Sequence, residues 1–215
     1  MTAANNCYIE TRNLKFRYRD GEELSFPDLC MEQGSHWLIT GFSGSGKTTL
    51  LHLLAGLLKP TAGDVAIAGE KINRMSNAAL DRFRGREIGI VFQTAHFVQS
   101  LTVAENLALA RFLAKNKPDP ERVSTLLSRL GLGDKENKKP HQLSVGEQQR
   151  AAIARAMANQ PAVVLADEPT ASLDDANCKA MTELLRSECE ASGATLVIVT
   201  HDQRIKDLIQ QVVQL

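Results

Sequence analysis

The feature that most constrains this chain is a glycine-rich turn at 41–49, Gly-Phe-Ser-Gly-Ser-Gly-Lys-Thr-Thr. An apolar segment, Trp37–Thr40, precedes the turn, and leucines at helical spacing follow it from Leu50 to Leu58. The turn fits the G-x-x-x-x-G-K-[ST] pattern in the strand-then-helix setting that the pattern requires. Backbone N–H groups of such a loop converge on one concavity, and the helix N-terminus adds its dipole. The sequence therefore predicts a nucleoside triphosphate-binding protein.

Two side chains at the end of the turn have predicted roles in binding the nucleotide and Mg²⁺. We expect the Lys47 ammonium to reach the β- and γ-phosphates, and the Thr48 hydroxyl to hold Mg²⁺. A glycine-rich loop can also be an ordinary tight turn, but the Lys-Thr pair and both flanks favour a phosphate site. The residues predicted to line the nucleotide site are Gly41, Phe42, Ser43, Gly44, Ser45, Gly46, Lys47, Thr48 and Thr49.

Length and composition limit the class of protein. The 215 residues suffice for one large domain or for a domain with an inserted lobe. The 25 basic and 25 acidic residues balance, so overall charge favours neither nucleic acid nor an anionic membrane surface as a partner. The apolar run Leu50–Leu58 is shorter than the roughly 18 residues that suggest a membrane span. Residues 1–10 lack the basic start and apolar core of a secretory signal.

The cysteines bear on the redox environment of the chain. The sequence contains Cys7, Cys30, Cys178 and Cys189, and no two of them form a C-x-x-C pair. Cys178 and Cys189 are predicted on one helix, roughly 16 Å apart at 1.5 Å per residue, which is too far to bridge. We therefore expect a reduced, cytosolic chain.

The order of predicted elements indicates a single α/β ATPase domain with a helical insertion. Strand-rich sequence at 8–19 turns at 20–21, and 24–33 is predicted to return as a second strand. Between 94 and about 142 strands are absent from the pattern, and helical segments take their place. We expect residues 1–93 and 161–215 to form a core of mainly parallel sheet with an antiparallel β subdomain. Residues 94–160 are then an inserted α-helical subdomain.

Two capping boxes mark predicted helix starts in this insertion, at Thr102-Val103-Ala104-Glu105 and at Ser144-Val145-Gly146-Glu147. The second box carries a bare glycine at a helix N-terminus, which is the kind of nest that binds anions. The glycine-rich turn at 41–49 (the P-loop) already binds the phosphates within one chain. A second anion-binding site therefore suggests that one subunit caps the ATP held by another. An ordinary helix cap is the alternative, and the box alone favours it.

Three further predicted strands end at polar residues. The strands at 88–92, 162–166 and 195–199 lead to Gln93, to Asp167-Glu168 and to His201. Ligands of α/β sheets collect at the carboxyl ends of strands, so we expect these side chains beside the P-loop. Strand 162–166 is entirely apolar, as in a parallel sheet that is covered on both faces.

The chemistry of these residues predicts their roles. Asp167 is expected to anchor Mg²⁺, and Glu168 to orient and deprotonate the attacking water. Gln93 can contact both metal and water, and His201 can bind the γ-phosphate. A lone glutamine or histidine at a strand end is more often an ordinary polar residue, but their shared sheet edge favours catalysis. Tyr18 either stacks on adenine or packs as an edge-strand tyrosine.

Taken together, these motifs resemble the nucleotide-binding subunit of ABC transporters. The likeness runs from about Tyr8 to the end, and the segment 143–150, Leu-Ser-Val-Gly-Glu-Gln-Gln-Arg, carries most of it with the P-loop and the segment 163–174. The resemblance implies a head-to-tail dimer that sandwiches two ATP molecules, in which Asp174 links the two sites. The nucleotide contacts that it implies outside the P-loop are Tyr18, Ser144, Gly146, Glu147 and Asp174.

Val145 departs from the family pattern, which usually has glycine at that position. Since the neighbouring serine and the second glycine are kept, we expect activity to survive with altered ATP affinity.

Within the family, three stretches look most like the lipoprotein-release, macrolide-export and cell-division group (LolD, MacB and FtsE): Leu50–Gly63, Ile88–Asn106 and Val164–Asp174. This likeness implies a separate membrane permease as partner, on the cytoplasmic face of a bacterial inner membrane. In such proteins the surface around Ala95–Leu101 receives the permease's coupling helix, although plain core packing also explains its apolar residues.

Two other functions are alternatives to a transporter subunit. A soluble ABC-type ATPase acting on nucleic acid or ribosomes is the first, but DNA-repair relatives carry long coiled coils and translation relatives carry two ATPase units. Neither feature is present in this sequence, so no nucleic acid partner is expected. A nucleotide-gated scaffold with negligible hydrolysis is the second, and Glu168 argues against it.

Overall fold

The fold is given by a computed structural model, which describes residues 7–19, 21–171 and 173–215. Over these residues the chain forms two sheets and six α-helices, joined by loops and short 3₁₀ turns. The strands are β1 (Ile9–Arg17), β2 (Glu23–Ser25), β3 (Leu29–Met31), β4 (His36–Thr40), β5 (Ala62–Ile67), β6 (Glu70–Lys71), β7 (Ile88–Val91), β8 (Val163–Asp167), β9 (Thr195–Val199) and β10 (Gln211–Gln214). The helices are α1 (Lys47–Leu54), α2 (Asn77–Glu87), α3 (Val103–Leu113), α4 (Pro120–Arg129), α5 (Val145–Met157) and α6 (Asp175–Ser192).

The parallel sheet has the strand order β10-β4-β9-β8-β7, and all of its pairs are parallel. Every residue of β8 and β9 is buried, because helices cover both faces of the sheet. All five strands point the same way, so their carboxyl ends lie along one edge. This edge carries the functional residues described below.

The second sheet is antiparallel and is built on β1, which pairs with β2, β3 and β5. One face of β1 is buried at Ile9, Thr11, Leu14 and Phe16. The pairing of β1 with β5 changes register between residues 12 and 15. Both sheets and the helices around them agree with the predicted α/β P-loop fold with an N-terminal antiparallel β subdomain and an inserted helical segment. The fold-class prediction is confirmed.

The predicted single strand at 24–33 is wrong, since the segment forms the two short strands β2 and β3. Pro27 interrupts the pairing because it has no N–H to donate. The buried Thr11 hydroxyl spans the gap, donating to the Pro27 carbonyl at 3.0 Å and accepting from the Leu29 N–H at 2.9 Å.

Helix α1 is shorter than the leucine pattern predicts. It ends at Leu54, and Gly56 follows with φ +64°, where a Cβ would also lie 2.8 Å from a Leu80 methyl. Leu57 is exposed and Leu58 only half-buried, so the helical spacing overestimated the helix by one turn. The left-handed glycine ends the helix before the Pro60 turn is reached.

The cysteine prediction is also wrong for one pair. Cys7 and Cys30 form a disulfide with their Cα atoms 4.9 Å apart, whereas Cys178 and Cys189 are free and buried on α6. Spacing rules for near neighbours could not find a pair that is 23 residues apart. The antiparallel pairing of β1 with β3 brings the two residues together.

Residues 94–160 contain α3, α4, α5 and 3₁₀ turns. Both predicted capping boxes are present, with Thr102 and Ser144 accepting from the N–H groups of Glu105 and Glu147. Residues 203–208 form a six-residue 3₁₀ segment that precedes β10. Among the described residues, no helix is both long and apolar enough to span a bilayer.

Candidate active site

The glycine-rich turn connects the carboxyl end of β4 to the start of α1. Gly46 caps the helix with φ +94°, a left-handed conformation that favours glycine. A Cβ at Gly41 would lie 2.6 Å from both the Leu215 carbonyl oxygen and the Ser45 hydroxyl, so no larger residue fits there. The loop therefore packs closely over the first turn of α1.

Lys47 is buried under this loop. Its ammonium donates to the carbonyl oxygens of Gly41 at 3.0 Å and Phe42 at 2.8 Å. Both partners are neutral, so they leave the positive charge of the ammonium uncompensated. A buried cation of this kind, next to a helix N-terminus, is well suited to an anionic ligand.

Thr48 and Asp167 meet at the same edge. The Thr48 hydroxyl donates to Asp167 Oδ1 at 3.1 Å, which joins the start of α1 to the end of β8. Burial raises the pKa of Asp167, and the hydrogen bond from Thr48 opposes that shift. A cation beside this carboxylate would relieve the cost of burying its charge.

Glu168 follows Asp167 in an unusual conformation, with φ +46°. Its Oε1 accepts from the His201 N–H at 3.1 Å and lies 2.7 Å from His201 Nδ1. Its Oε2 accepts from the Thr200 hydroxyl at 2.7 Å. The ends of β8 and β9 therefore hold this carboxylate at the sheet edge from two sides.

A cavity of about 570 Å³ opens at this edge. It is lined by Tyr18, Gly21, Glu22, Leu24, Ser43, Gly44, Gly46, Lys47, Thr48, Thr49, Gln93, Glu168 and His201. The four strand ends that the sequence singled out thus converge on one cavity, and Gln93 enters it from the end of β7.

Tyr18 forms one side of the cavity. Its hydroxyl shares a 3.1 Å hydrogen bond with Thr49, and its ring packs edge-on against Phe16 with centroids 4.7 Å apart. About half of Tyr18 stays exposed, and the residue lines the cavity. This placement is suited to stacking against a planar base.

Several residues predicted for nucleotide binding lie away from this cavity. Gly41 and Ser45 support the loop from within, and Phe42 projects into solvent. Asp174 caps α6, accepting from both Asn177 nitrogens, which lowers the pKa of Asp174. The remaining predicted contacts, Ser144, Gly146 and Glu147, lie at the start of α5 and do not line the cavity.

The start of α5 is a capped helix end that faces outward. The Ser144 N–H donates to Glu147 Oε2 at 2.8 Å, and these bonds lower the pKa of Glu147. A Cβ at Gly146 would meet only the end of the Arg150 side chain, at 3.8 Å. Val145 is 60% exposed beside it. No neighbour among the described residues therefore requires a glycine at 146.

Sequence reasoning missed Thr200 and the segment 21–24. Gly21, Glu22 and Leu24 line the cavity because the turn after β1 folds over it, and no motif marks them. Thr200 had a signal that could have been used, since it is a hydroxyl residue between an apolar strand and the candidate His201.

The parallel sheet and the phosphate-binding loop at its edge place the chain among the P-loop nucleoside triphosphatases. Residues 24–171 match the family model described as ABC transporter. The chain therefore belongs to the ABC transporter family, and it is an ATPase that converts ATP and water to ADP and phosphate.

Solved structures of this family are similar over nearly the whole chain. The dimeric ATP-binding cassette MJ0796 in a post-hydrolysis state with ADP and Pi is 34% identical, with a TM-score of 0.87 over 96% of this chain and 94% of that one. A second dimeric structure of MJ0796, described as a bacterial ABC transporter cassette, is 35% identical with the same TM-score and coverage. The cbiO1 protein of Clostridium perfringens, part of the ABC transporter complex cbiONQ, is 31% identical, with a TM-score of 0.85 over 97% of this chain and 84% of that one.

Proposed function

We propose that this chain is the ATP-hydrolysing subunit of an ABC transporter and that it acts as a head-to-tail dimer on a separate membrane permease. The observation that carries the dimer is the separation of two phosphate-suited sites. The P-loop lines a cavity, whereas the start of α5 faces outward. It carries a glycine at 146 although the described neighbours leave room for a side chain there. A glycine in a helix costs about 1 kcal/mol relative to alanine, so an approaching ligand explains its presence. The neighbouring cassettes are dimeric, which supports the same conclusion.

ATP and Mg²⁺ fit the residues at the sheet edge. Lys47 supplies a buried positive charge for the β- and γ-phosphates. Thr48, Asp167 and Gln93 supply the hydroxyl, carboxylate and amide oxygens that Mg²⁺ prefers. When bound, Mg²⁺ neutralises charge on the phosphate oxygens. The residues of this chain orient the phosphates and hold them against the water that attacks.

Glu168 is the general base in this proposal. Its carboxylate lines the cavity and takes the proton of the attacking water. His201 holds Glu168 Oε1 and lines the same cavity, so its ring can also bind the γ-phosphate. The intact carboxylate argues against a scaffold without turnover.

Closure of the dimer completes each site. Ser144 and Gly146 of one subunit face the γ-phosphate held by Lys47 of the other, and Glu147 caps the same helix end. Asp174 lies at the cap of α6 and links the two sites. Val145 lies at this interface, and it tunes closure rather than phosphate contact.

Substitutions of Tyr18 test whether its ring stacks on the adenine base. We expect Tyr18→Ala to weaken ATP binding by about tenfold, since aromatic stacking on a base contributes about 1–3 kcal/mol. Tyr18→Phe keeps the ring and loses only the bond to Thr49, so it should bind ATP close to the wild-type level. Equilibrium binding of a fluorescent ATP analogue measures both variants. Equal binding by Tyr18→Ala and wild type would assign the ring to packing alone.

The permease-docking surface is proposed beside α3. Of the predicted segment Ala95–Leu101, Phe97 is buried under the Arg155 guanidinium at 4.8 Å, so that part is core packing. Val98 is 44% exposed, and the end of α3 exposes Phe112 at 74% and Leu113 at 70%. Large apolar side chains in solvent mark interaction sites, and an amphipathic coupling helix is a fitting partner.

Co-purification from membranes tests this surface. We expect tagged Glu168→Gln protein with ATP and Mg²⁺ to recover a multi-span membrane protein, and a further Phe112→Ser change to reduce recovery about tenfold, because burying a phenylalanine contributes about 1.5–3 kcal/mol. Val212→Ser is the matched control, since Val212 is also exposed but lies on the edge strand β10. Recovery of nucleic acid, or of a dimer with no membrane protein, would favour the soluble ATPase instead.

The group and location follow from this proposal. The stretches Leu50–Gly63, Ile88–Asn106 and Val164–Asp174 support a lipoprotein-release or export type of transporter. Such a subunit works at the cytoplasmic face of the inner membrane.

A further inference from the structure

Thr200 lies fully buried at the carboxyl end of β9, directly before His201. Its hydroxyl donates to Glu168 Oε2 at 2.7 Å and accepts from the Asp202 N–H at 3.0 Å. The Asp202 amide occupies a lone pair of the hydroxyl oxygen, so the hydroxyl proton is directed at the carboxylate. The direction of the hydrogen bond from Thr200 to Glu168 is therefore fixed.

The acceptor positions of Glu168 are used unequally. Over the described residues, Oε1 takes both His201 contacts, the N–H at 3.1 Å and Nδ1 at 2.7 Å, whereas Oε2 takes only the Thr200 hydroxyl. An ionised carboxylate oxygen has two lone pairs, so Oε2 keeps one acceptor position. That position is available to a water molecule.

We propose that Thr200 is a positioning residue for ATP hydrolysis, whose hydroxyl orients Glu168 so that Oε2 accepts the proton of the attacking water. This inference rests on the proposed role of Glu168 as general base. Thr200 is fully buried and is not among the residues that line the cavity, so it acts through the carboxylate alone. Orientation matters because a base displaced by about 1 Å can lose about 100-fold in rate.

The loop that carries Thr200 is itself anchored. Asp202 accepts from Arg204 at 2.7–2.9 Å, and this contact lowers the pKa of Asp202 to about 2. Arg204 also donates to the Leu173 carbonyl at 3.2 Å and to the Asp175 carboxylate at 2.7 Å. The Thr200 loop is thereby fastened to the start of α6.

Another buried threonine, Thr182, has a hydroxyl whose role is only structural. Thr182 on α6 donates to the Cys178 carbonyl within its own helix at 2.9 Å. That hydroxyl bonds locally and touches no site residue. Thr182 therefore provides a matched control for removing a buried hydroxyl.

Steady-state ATPase kinetics on the whole chain test the proposal with an isosteric change. We expect Thr200→Val to lower kcat by about 10- to 100-fold with KM for ATP within about twofold of wild type. Thr200→Ser restores the hydroxyl and should recover kcat to within about threefold. Thr182→Val should change neither constant. In a Glu168→Gln background, Thr200→Val should still form the ATP-bound dimer, which shows that the fold and nucleotide site persist.

Three results would overturn the role of Thr200. They are a wild-type kcat in Thr200→Val, parallel losses of kcat and ATP affinity, and failure of Thr200→Ser to recover kcat. Glu168→Gln is measured alongside the Thr200 variants. Wild-type turnover by Glu168→Gln would instead refute the general base, and with it the proposed function, whatever Thr200 does.

Discussion

Glu168→Gln is expected to lower ATP turnover by about 10²- to 10⁴-fold, the usual contribution of a general base. The amide keeps the shape of the side chain, and its single oxygen can still accept from Thr200 or from the His201 N–H, whereas its NH₂ group only donates and cannot take a proton from water at neutral pH. In the proposed site, ATP is bound by Lys47, Thr48 and the P-loop amides, which the change leaves in place. The variant should therefore bind ATP normally and accumulate as an ATP-bound dimer.

The measurements for Glu168→Gln are phosphate release, equilibrium ATP binding and size-exclusion chromatography with and without ATP. Glu22→Gln is the matched control, because Glu22 lines the same cavity but takes part in none of the hydrogen bonds described above for Asp167, Glu168 and His201. We expect the control to keep turnover close to wild type. If Glu168→Gln turned over ATP within a few-fold of the wild-type rate, Glu168 would not be the general base.

The fold and the cavity could be predicted because each depends on local patterns that tertiary packing did not override. The strand, turn and helix around Lys47 are specified by the apolar run before the turn, the spacing of the glycines within it and the helical period of the leucines after it. Gln93, Glu168 and His201 follow apolar strands, and parallel strands in one sheet must end at one edge. Order along the chain was therefore enough to bring these side chains together.

Contacts between distant segments could not be predicted in the same way. The Cys7–Cys30 bond depends on the register of β1 against β3, which spacing in sequence does not contain. The early end of α1 depends on Gly56 packing against Leu80, a contact with the next helix. The orientation of Glu168 depends on a hydroxyl from the neighbouring strand, a tertiary contact that no motif records.

The dimer could be inferred from the sequence only as a possibility, because a capping box at Ser144 also occurs in ordinary helices. The structure adds the surroundings of Gly146, where a Cβ would meet, among the residues that the structure describes, only the end of the Arg150 side chain. A substitution there should leave the isolated subunit folded and change only what approaches from outside. This separation makes Gly146 the most informative position for testing the sandwich.

Gly146→Asp is expected to abolish ATP-driven dimerisation and turnover while the isolated subunit still binds ATP. A carboxylate about 4 Å from the partner's γ-phosphate repels it by about 4 kcal/mol at an effective dielectric of 20, or about a thousandfold in affinity. Gly146→Ala is the uncharged control; it should raise the stability of the isolated subunit by about 1 kcal/mol, as alanine is the better helix former. Thermal unfolding, ATP binding and sedimentation with ATP measure these effects.

Mixing two inactive variants then decides which subunit's helix serves which ATP. In a head-to-tail dimer of Lys47→Ala with Gly146→Asp, one composite site carries both lesions and the other carries neither. Turnover should therefore return in the mixture, although each variant alone is inactive. If the start of α5 served the ATP of its own chain, every site in the mixture would carry one lesion and no activity would return. A double variant mixed with wild type is the matched control, because each of its mixed sites carries a single lesion.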